Sequence, residues 1–111
     1  MAELEKRRCI PCEAKTQPLT LAQAQILLKQ LDPRWTLLDN GARIEAAFEF
    51  NNYFRTTAFV NAVAWIAHQE DHHPDIRFGY KDATVTYWTH AIGGLSENDF
   101  ICAAKIDALL R

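Results

Sequence analysis

The stretch Trp35-Thr-Leu-Leu-Asp-Asn-Gly-Ala-Arg-Ile-Glu-Ala-Ala-Phe-Glu-Phe50 decides how the 111-residue chain is read. Trp35 to Leu38 has strand character, and Asn40-Gly41 is the dipeptide favoured in a tight hairpin turn. On the return arm Ile44, Ala46, Phe48 and Phe50 alternate with Arg43, Glu45 and Glu49. A period of two puts the apolar set on one face, which predicts an amphipathic antiparallel hairpin with one face toward a core.

Working outward, Thr20-Leu-Ala-Gln23 has the form of a capping box, and Leu21, Ala24, Leu27, Leu28 and Leu31 follow at helical spacing until Asp32-Pro33. On the other side, Asn51 or Asn52 can cap a long helix whose apolar face includes Phe54, Ala58, Ala62, Trp65 and Ile66. That helix should end near Asp71, because Pro74 disfavours a helical His73. A second hairpin follows, with Ile76, Phe78 and Tyr80 alternating, a turn at Lys81-Asp82, and a strand from Ala83 to His90. After a flexible break at Gly93-Gly94, Ser96-Glu-Asn-Asp99 opens a last helix carrying Phe100, Ala103, Ile106, Leu109 and Leu110. The order α-β-β-α-β-β-α predicts an α+β domain, a four-stranded antiparallel sheet with helices packed on one face. The exposed edges of so small a sheet make self-association an expectation.

Composition narrows the function classes. A net charge of -2 and a pI near 6.0 supply no field for nucleic acid or an anionic membrane. The longest apolar run, Ala62 to Ala67, is six residues, far short of a membrane span. The charged start, without an apolar signal core, predicts a cytoplasmic protein. Residues 1–19 read as a flexible N-terminal arm and 20–111 as the folded domain. The arm holds Cys9-Ile-Pro-Cys12, whose spacing suits zinc or redox chemistry; with no second pair in the chain, two free thiols on a mobile arm is the favoured reading. Cys102, within an apolar helical pattern, reads as packing.

The histidines carry the chemistry. His72 and His73 lie where the long helix stops, and His90 ends the last strand, so three imidazoles could flank one small pocket and exchange protons near neutrality. Asp71 could hold the tautomer of one ring. The same rings could instead complement the helix dipole, and His68 and His72, four apart, leave a zinc site open. Asp99 fits the third position of the last helix, where a carboxylate caps the helix start.

Asp71-His72-His73-Pro74, with the later Thr89-His90, Gly94-Leu95-Ser96 and Asp99, resembles the pterin-4a-carbinolamine dehydratase family. The likeness runs from about Leu31 to Leu110 and includes Trp35 and Asn98-Asp99-Phe100-Ile101. Two positions depart from the family pattern: His68 stands where Glu or Lys is frequent, and Ile76 where an aromatic is frequent. The resemblance implies removal of water from a 4a-hydroxytetrahydropterin, a by-product of pterin-dependent aromatic amino-acid hydroxylases, giving the quinonoid dihydropterin. It implies no metal or cofactor, His72 and His90 as the principal acid/base pair, and His73 as a donor or as serving the opposite stereoisomer. Asp71 would orient a histidine, and the backbone around Trp88 and Thr89 would meet the pterin's amide edge. The resemblance also implies a homodimer or homotetramer. It leaves a non-catalytic pterin-binding or dimerisation module, of the kind that docks on a transcription factor, as the alternative.

Overall fold

The computed structural model describes residues 3–13 and 15–111; the remainder of the expected arm lies outside the described residues. Three helices, α1 (Leu21–Leu28), α2 (Tyr53–Glu70) and α3 (Glu97–Leu109), alternate with the strands β1 (Thr36–Leu38), β2 (Arg43–Glu49), β3 (Asp75–Phe78) and β4 (Asp82–Tyr87). The strands form one antiparallel sheet in the order β1-β2-β4-β3. This is the α+β architecture expected from the element order.

Register follows from the alternation of β2. Ile44, Ala46 and Phe48 stand opposite Tyr87, Val85 and Ala83, and all six are buried. A slip of one residue would turn every one of them to the other face, where Glu45 pairs with Thr86. The core is completed by Trp35, by Phe59, Val63 and Ile66 of α2, and by Phe100, Ile101, Ala103 and Ile106 of α3. Phe59 packs on Phe48 and Phe50, at centroid distances of 4.5 and 5.0 Å. Fully burying such a ring stabilises by about 1.5–3 kcal/mol, so this cluster fixes α2 on the sheet.

Several local expectations are corrected. The first hairpin is not closed by a two-residue turn. Asp39, Asn40 and Gly41 all take positive φ, and Leu38 pairs with Arg43 across a longer loop. Gly41 tucks against Leu21, where a Cβ would come within 2.9 Å of a leucine methyl, so the loop is docked on α1. The helix α1 stops at Leu28 and tightens, with Leu31 N–H donating to the Leu28 carbonyl (3.0 Å), which still buries Leu31. On α2 the buried face is Thr56, Phe59, Val63 and Ile66, while Phe54 and Trp65 are 80% and 59% exposed. The helix is apolar nearly all round, so periodicity could not choose the face; ring packing on the hairpin did. Leu109 and Leu110 are exposed at the end of α3.

The N-terminal segment, expected as a loose arm, lies along α3 in its described part. Leu4 is buried in the core and Lys105 Nζ donates to the Glu5 carbonyl (2.7 Å). Cys9 N–H donates to Glu70 Oε1 (2.7 Å), and Ile10 exchanges hydrogen bonds with the Asn98 amide at 3.0 and 2.6 Å. Backbone groups held by side chains, rather than a run of apolar residues, place it there, which is why composition suggested a leader.

Candidate active site

The helix α2 ends by a left-handed residue. Asp71 has φ 51°, and His72 N–H reaches back to the Ala67 carbonyl (3.1 Å), the wrapped ending that satisfies orphan carbonyls. This reversal sends His72 and His73 in different directions. The His72 ring stacks on Tyr87 (5.8 Å, 7°), and its Nε2 lies 2.6 Å from Asp99 Oδ1. The His73 ring meets His90 edge to face at 5.1 Å. His90 in turn stacks on Trp88 at 4.3 Å, and the Arg43 guanidinium also lies 4.3 Å from the Trp88 ring.

Consecutive residues of a strand project to opposite faces, so Tyr87 goes inward and Trp88 outward. His72 therefore belongs to the core side and His73 with His90 to the open side. The strand β4 ends at Tyr87, earlier than expected, and His90 opens a 3-10 turn over His90–Ile92 closed by Gly93 at φ 62°. The expected flexible glycine break is thus an ordered turn that presents His90.

Asp99 is the hub of the buried half. It is fully buried; Oδ1 takes His72, and Oδ2 accepts from Thr89 Oγ1 (2.8 Å) and the Ser96 backbone N–H (3.0 Å). Thr89 and Ser96 hydroxyls are also 2.7 Å apart. Burial pulls the His72 pKa down, but the hydrogen bond and charge of Asp99 outweigh it, holding His72 above the ordinary 6.5. The Tyr87 hydroxyl beneath is buried with no hydrogen-bond partner among the described residues, and burial pushes its pKa well up.

The sequence reading placed Asp71 behind a histidine and Asp99 as a cap. Asp99 is both cap and histidine partner, whereas Asp71 is exposed and joined to no histidine by a side-chain hydrogen bond among the described residues. Nothing in the linear spacing of 71 and 72 could reveal that the helix end turns the ring toward α3. Thr89 commits its hydroxyl to Asp99 and its N–H to the Gly94 carbonyl (2.8 Å), so it builds the site from behind. In contrast, the ring nitrogens of His73 and His90 make no hydrogen bond among the described residues and remain free for a ligand. His68 stands apart on α2, its ring tilted against Trp65 at 5.2 Å. Among the described residues no group of three or more histidine, cysteine or acidic side chains is arranged to hold a metal ion. Among the described residues no helix is long and apolar enough to cross a membrane. A cavity of about 510 Å³ between the N-terminal turn, Arg34 and Asp107 has no histidine in its lining.

This arrangement, histidines at a helix end facing a Thr-His strand end over a buried aspartate, coincides with a family match. Residues 17–109 fit the family model described as pterin 4 alpha carbinolamine dehydratase. The chain belongs to that family. A relative from Nitrosomonas eutropha, provisionally named a pterin-4-alpha-carbinolamine dehydratase, is 59% identical over 99% of this chain and 96% of its own. One from Nitrosomonas europaea, with the same provisional name, is 55% identical over 100% of this chain and 96% of its own. Among solved structures, a transcriptional coactivator/pterin dehydratase from Brucella melitensis superposes with a TM-score of 0.78 at 30% identity, covering 84% of this chain and 98% of that one. A pterin dehydratase-like protein identified as a RuBisCO assembly factor in the alpha-carboxysome gives a TM-score of 0.60 at 29% identity, covering 68% of this chain and 87% of that one.

Proposed function

We propose that the chain dehydrates 4a-hydroxytetrahydrobiopterin to the quinonoid dihydropterin by histidine acid/base catalysis, in the recycling of tetrahydrobiopterin downstream of an aromatic amino-acid hydroxylase in the cytoplasm. The observation that carries this reading is the His73–His90 pair, 5.1 Å apart and with no competing hydrogen bond among the described residues. Loss of water from a carbinolamine needs one proton given to the departing hydroxyl and one taken from the neighbouring ring nitrogen. Two unengaged imidazoles on one open surface suit that exchange, each worth about 10²- to 10⁴-fold in rate. His72, whose pKa the Asp99 hydrogen bond and charge raise, is assigned to donating toward the ligand. The Trp88 backbone is assigned to the amide edge of the pterin, because the Thr89 N–H is held by the Gly94 carbonyl and the Thr89 carbonyl accepts from Ile92.

Stopped-flow ultraviolet decay of enzymatically generated 4a-hydroxytetrahydrobiopterin tests this. Wild type should accelerate the decay and His90→Ala should abolish most of that acceleration without changing Tm. Full acceleration by His90→Ala overturns the assignment.

Self-association belongs to the same proposal, as a homodimer or homotetramer. Phe54, Ala58 and Trp65 form an apolar stripe along the outer face of α2, and burying it against a second copy would remove it from water. The alternative, a non-catalytic pterin-binding or dimerisation module, draws on two of the solved structures, one described as a transcriptional coactivator/pterin dehydratase and one as a RuBisCO assembly factor. It predicts normal partner binding by His90→Ala.

A further inference from the structure

The cysteines are the one chemical motif that the pterin reading does not use. Cys9 Sγ lies 3.6 Å from Cys102 Sγ, although the two are 93 positions apart in the chain. The approach is built from both sides. Glu70 at the end of α2 takes the Cys9 N–H, and Asn98 at the start of α3 clamps Ile10 through both its backbone groups. Cys12, in contrast, points its sulfur to the Asn98 amide (3.5 Å) and the Ile10 carbonyl (3.9 Å), so Cys9 pairs with the distant cysteine and not with its CxxC neighbour.

We propose that Cys9 and Cys102 are a peroxide-responsive dithiol, which hydrogen peroxide converts to a disulfide tying the N-terminal segment to α3. A disulfide needs an S–S distance of about 2.05 Å, so each sulfur has to move by less than ~1 Å. Cys102 is fully buried, whereas Cys9 is half-buried and lines a cavity, so the peroxide meets Cys9 first. The Cys9 sulfur attacks one peroxide oxygen, the O–O bond breaks, and the departing hydroxide leaves as water with the Cys9 proton. The resulting sulfenic acid is attacked by the Cys102 sulfur; the S–O bond breaks and its hydroxyl leaves as water with the Cys102 proton. Two electrons pass from the sulfurs to peroxide, and two waters form. A cavity of about 150 Å³ lined by Cys9, Glu70, Asp71 and Asn98 gives the small oxidant its way in. An excess of a thiol reverses the bond by exchange.

The inference stands apart from the pterin reading and is tested without activity. Full-length reduced protein is treated with hydrogen peroxide, and its disulfides are located by non-reducing peptide mapping. Wild type and Cys12→Ser should both give a Cys9–Cys102 link. In wild type one free thiol should remain of three. Tm should rise by at least about 5 °C and fall back on adding dithiothreitol, because the cross-link closes a long loop. Cys9→Ser should show no such rise. Asn98→Ala, which releases the clamp but keeps all cysteines, should slow the cross-linking at least about threefold. A Cys9–Cys12 link, over-oxidation of Cys9 without any link, or cross-linking as fast in Asn98→Ala as in wild type overturns the proposal.

Discussion

His72 and His73 are covalent neighbours that occupy opposite environments. The His72 ring is largely buried, stacked on Tyr87 and hydrogen-bonded to a fully buried aspartate that also holds Thr89 and the start of α3. The His73 ring is at the surface, beside His90 and the Trp88–Arg43 stack. One left-handed residue, Asp71, separates these fates by turning the chain as it leaves α2. A buried imidazole beside a carboxylate has its protonated form favoured, and an open pair without hydrogen bonds leaves its ring nitrogens to a ligand. Identical side chains thus acquire different work from their surroundings.

If that contrast holds, the two histidine groups should fail in different ways. The largest effect is expected on the open side. His73→Ala and His90→Ala should each cost about 10²-fold or more in dehydration rate, and the double variant little beyond the worse single one, because the pair acts as a unit. All three should keep the wild-type Tm. Stopped-flow decay and thermal melts check both halves, and additive losses would break the pair. On the buried side the order reverses. Asp99→Ala leaves the His72 ring, the Thr89 hydroxyl and the Ser96 N–H without their acceptor, and should cost about 3–5 kcal/mol in urea unfolding.

A smaller effect is a pH signature. Because the folded His72 pKa is raised above 6.5, its bond to Asp99 contributes stability that is fully present below that value. The contribution is lost as pH climbs through the raised value. Wild type should therefore lose stability relative to His72→Gln over that alkaline-going window, and equal slopes would contradict a raised His72 pKa. Smallest of all, Trp65→Ser on the exposed face of α2 should change unfolding free energy by no more than about 0.5 kcal/mol in dilute protein. It should nonetheless shift sedimentation toward smaller species if that stripe covers a second copy.

Much of the scaffold was legible in the chain. The alternation of β2 located the core face; Thr20-Gln23 has the form of a capping box and Asn51 or Asn52 that of the α2 cap, and the bonds formed are Gln23 N–H on Thr20 Oγ1 (3.2 Å) and Arg55 N–H on Asn52 Oδ1 (2.9 Å). These signals are local, because a cap or an alternating strand is decided within a few residues. The buried face of α2 was not legible. Tyr53, Phe54, Phe59 and Trp65 all offer apolar surface, and only the hairpin rings select Phe59.

The site divides in the same way. His72, His73 and His90 could be picked from residue type and position, since an imidazole at a helix end or strand end is visible in one dimension. What each would touch could not, because Asp99 comes from α3, 27 residues beyond His72, and Cys9 meets Cys102 across nearly the whole chain. Element order, strand alternation and the presence of proton-transferring side chains were set by short-range chemistry. The aspartate behind His72, the free His73–His90 pair and the seat of the N-terminal segment came only with folding, because contacts between distant residues depend on packing that no local pattern encodes.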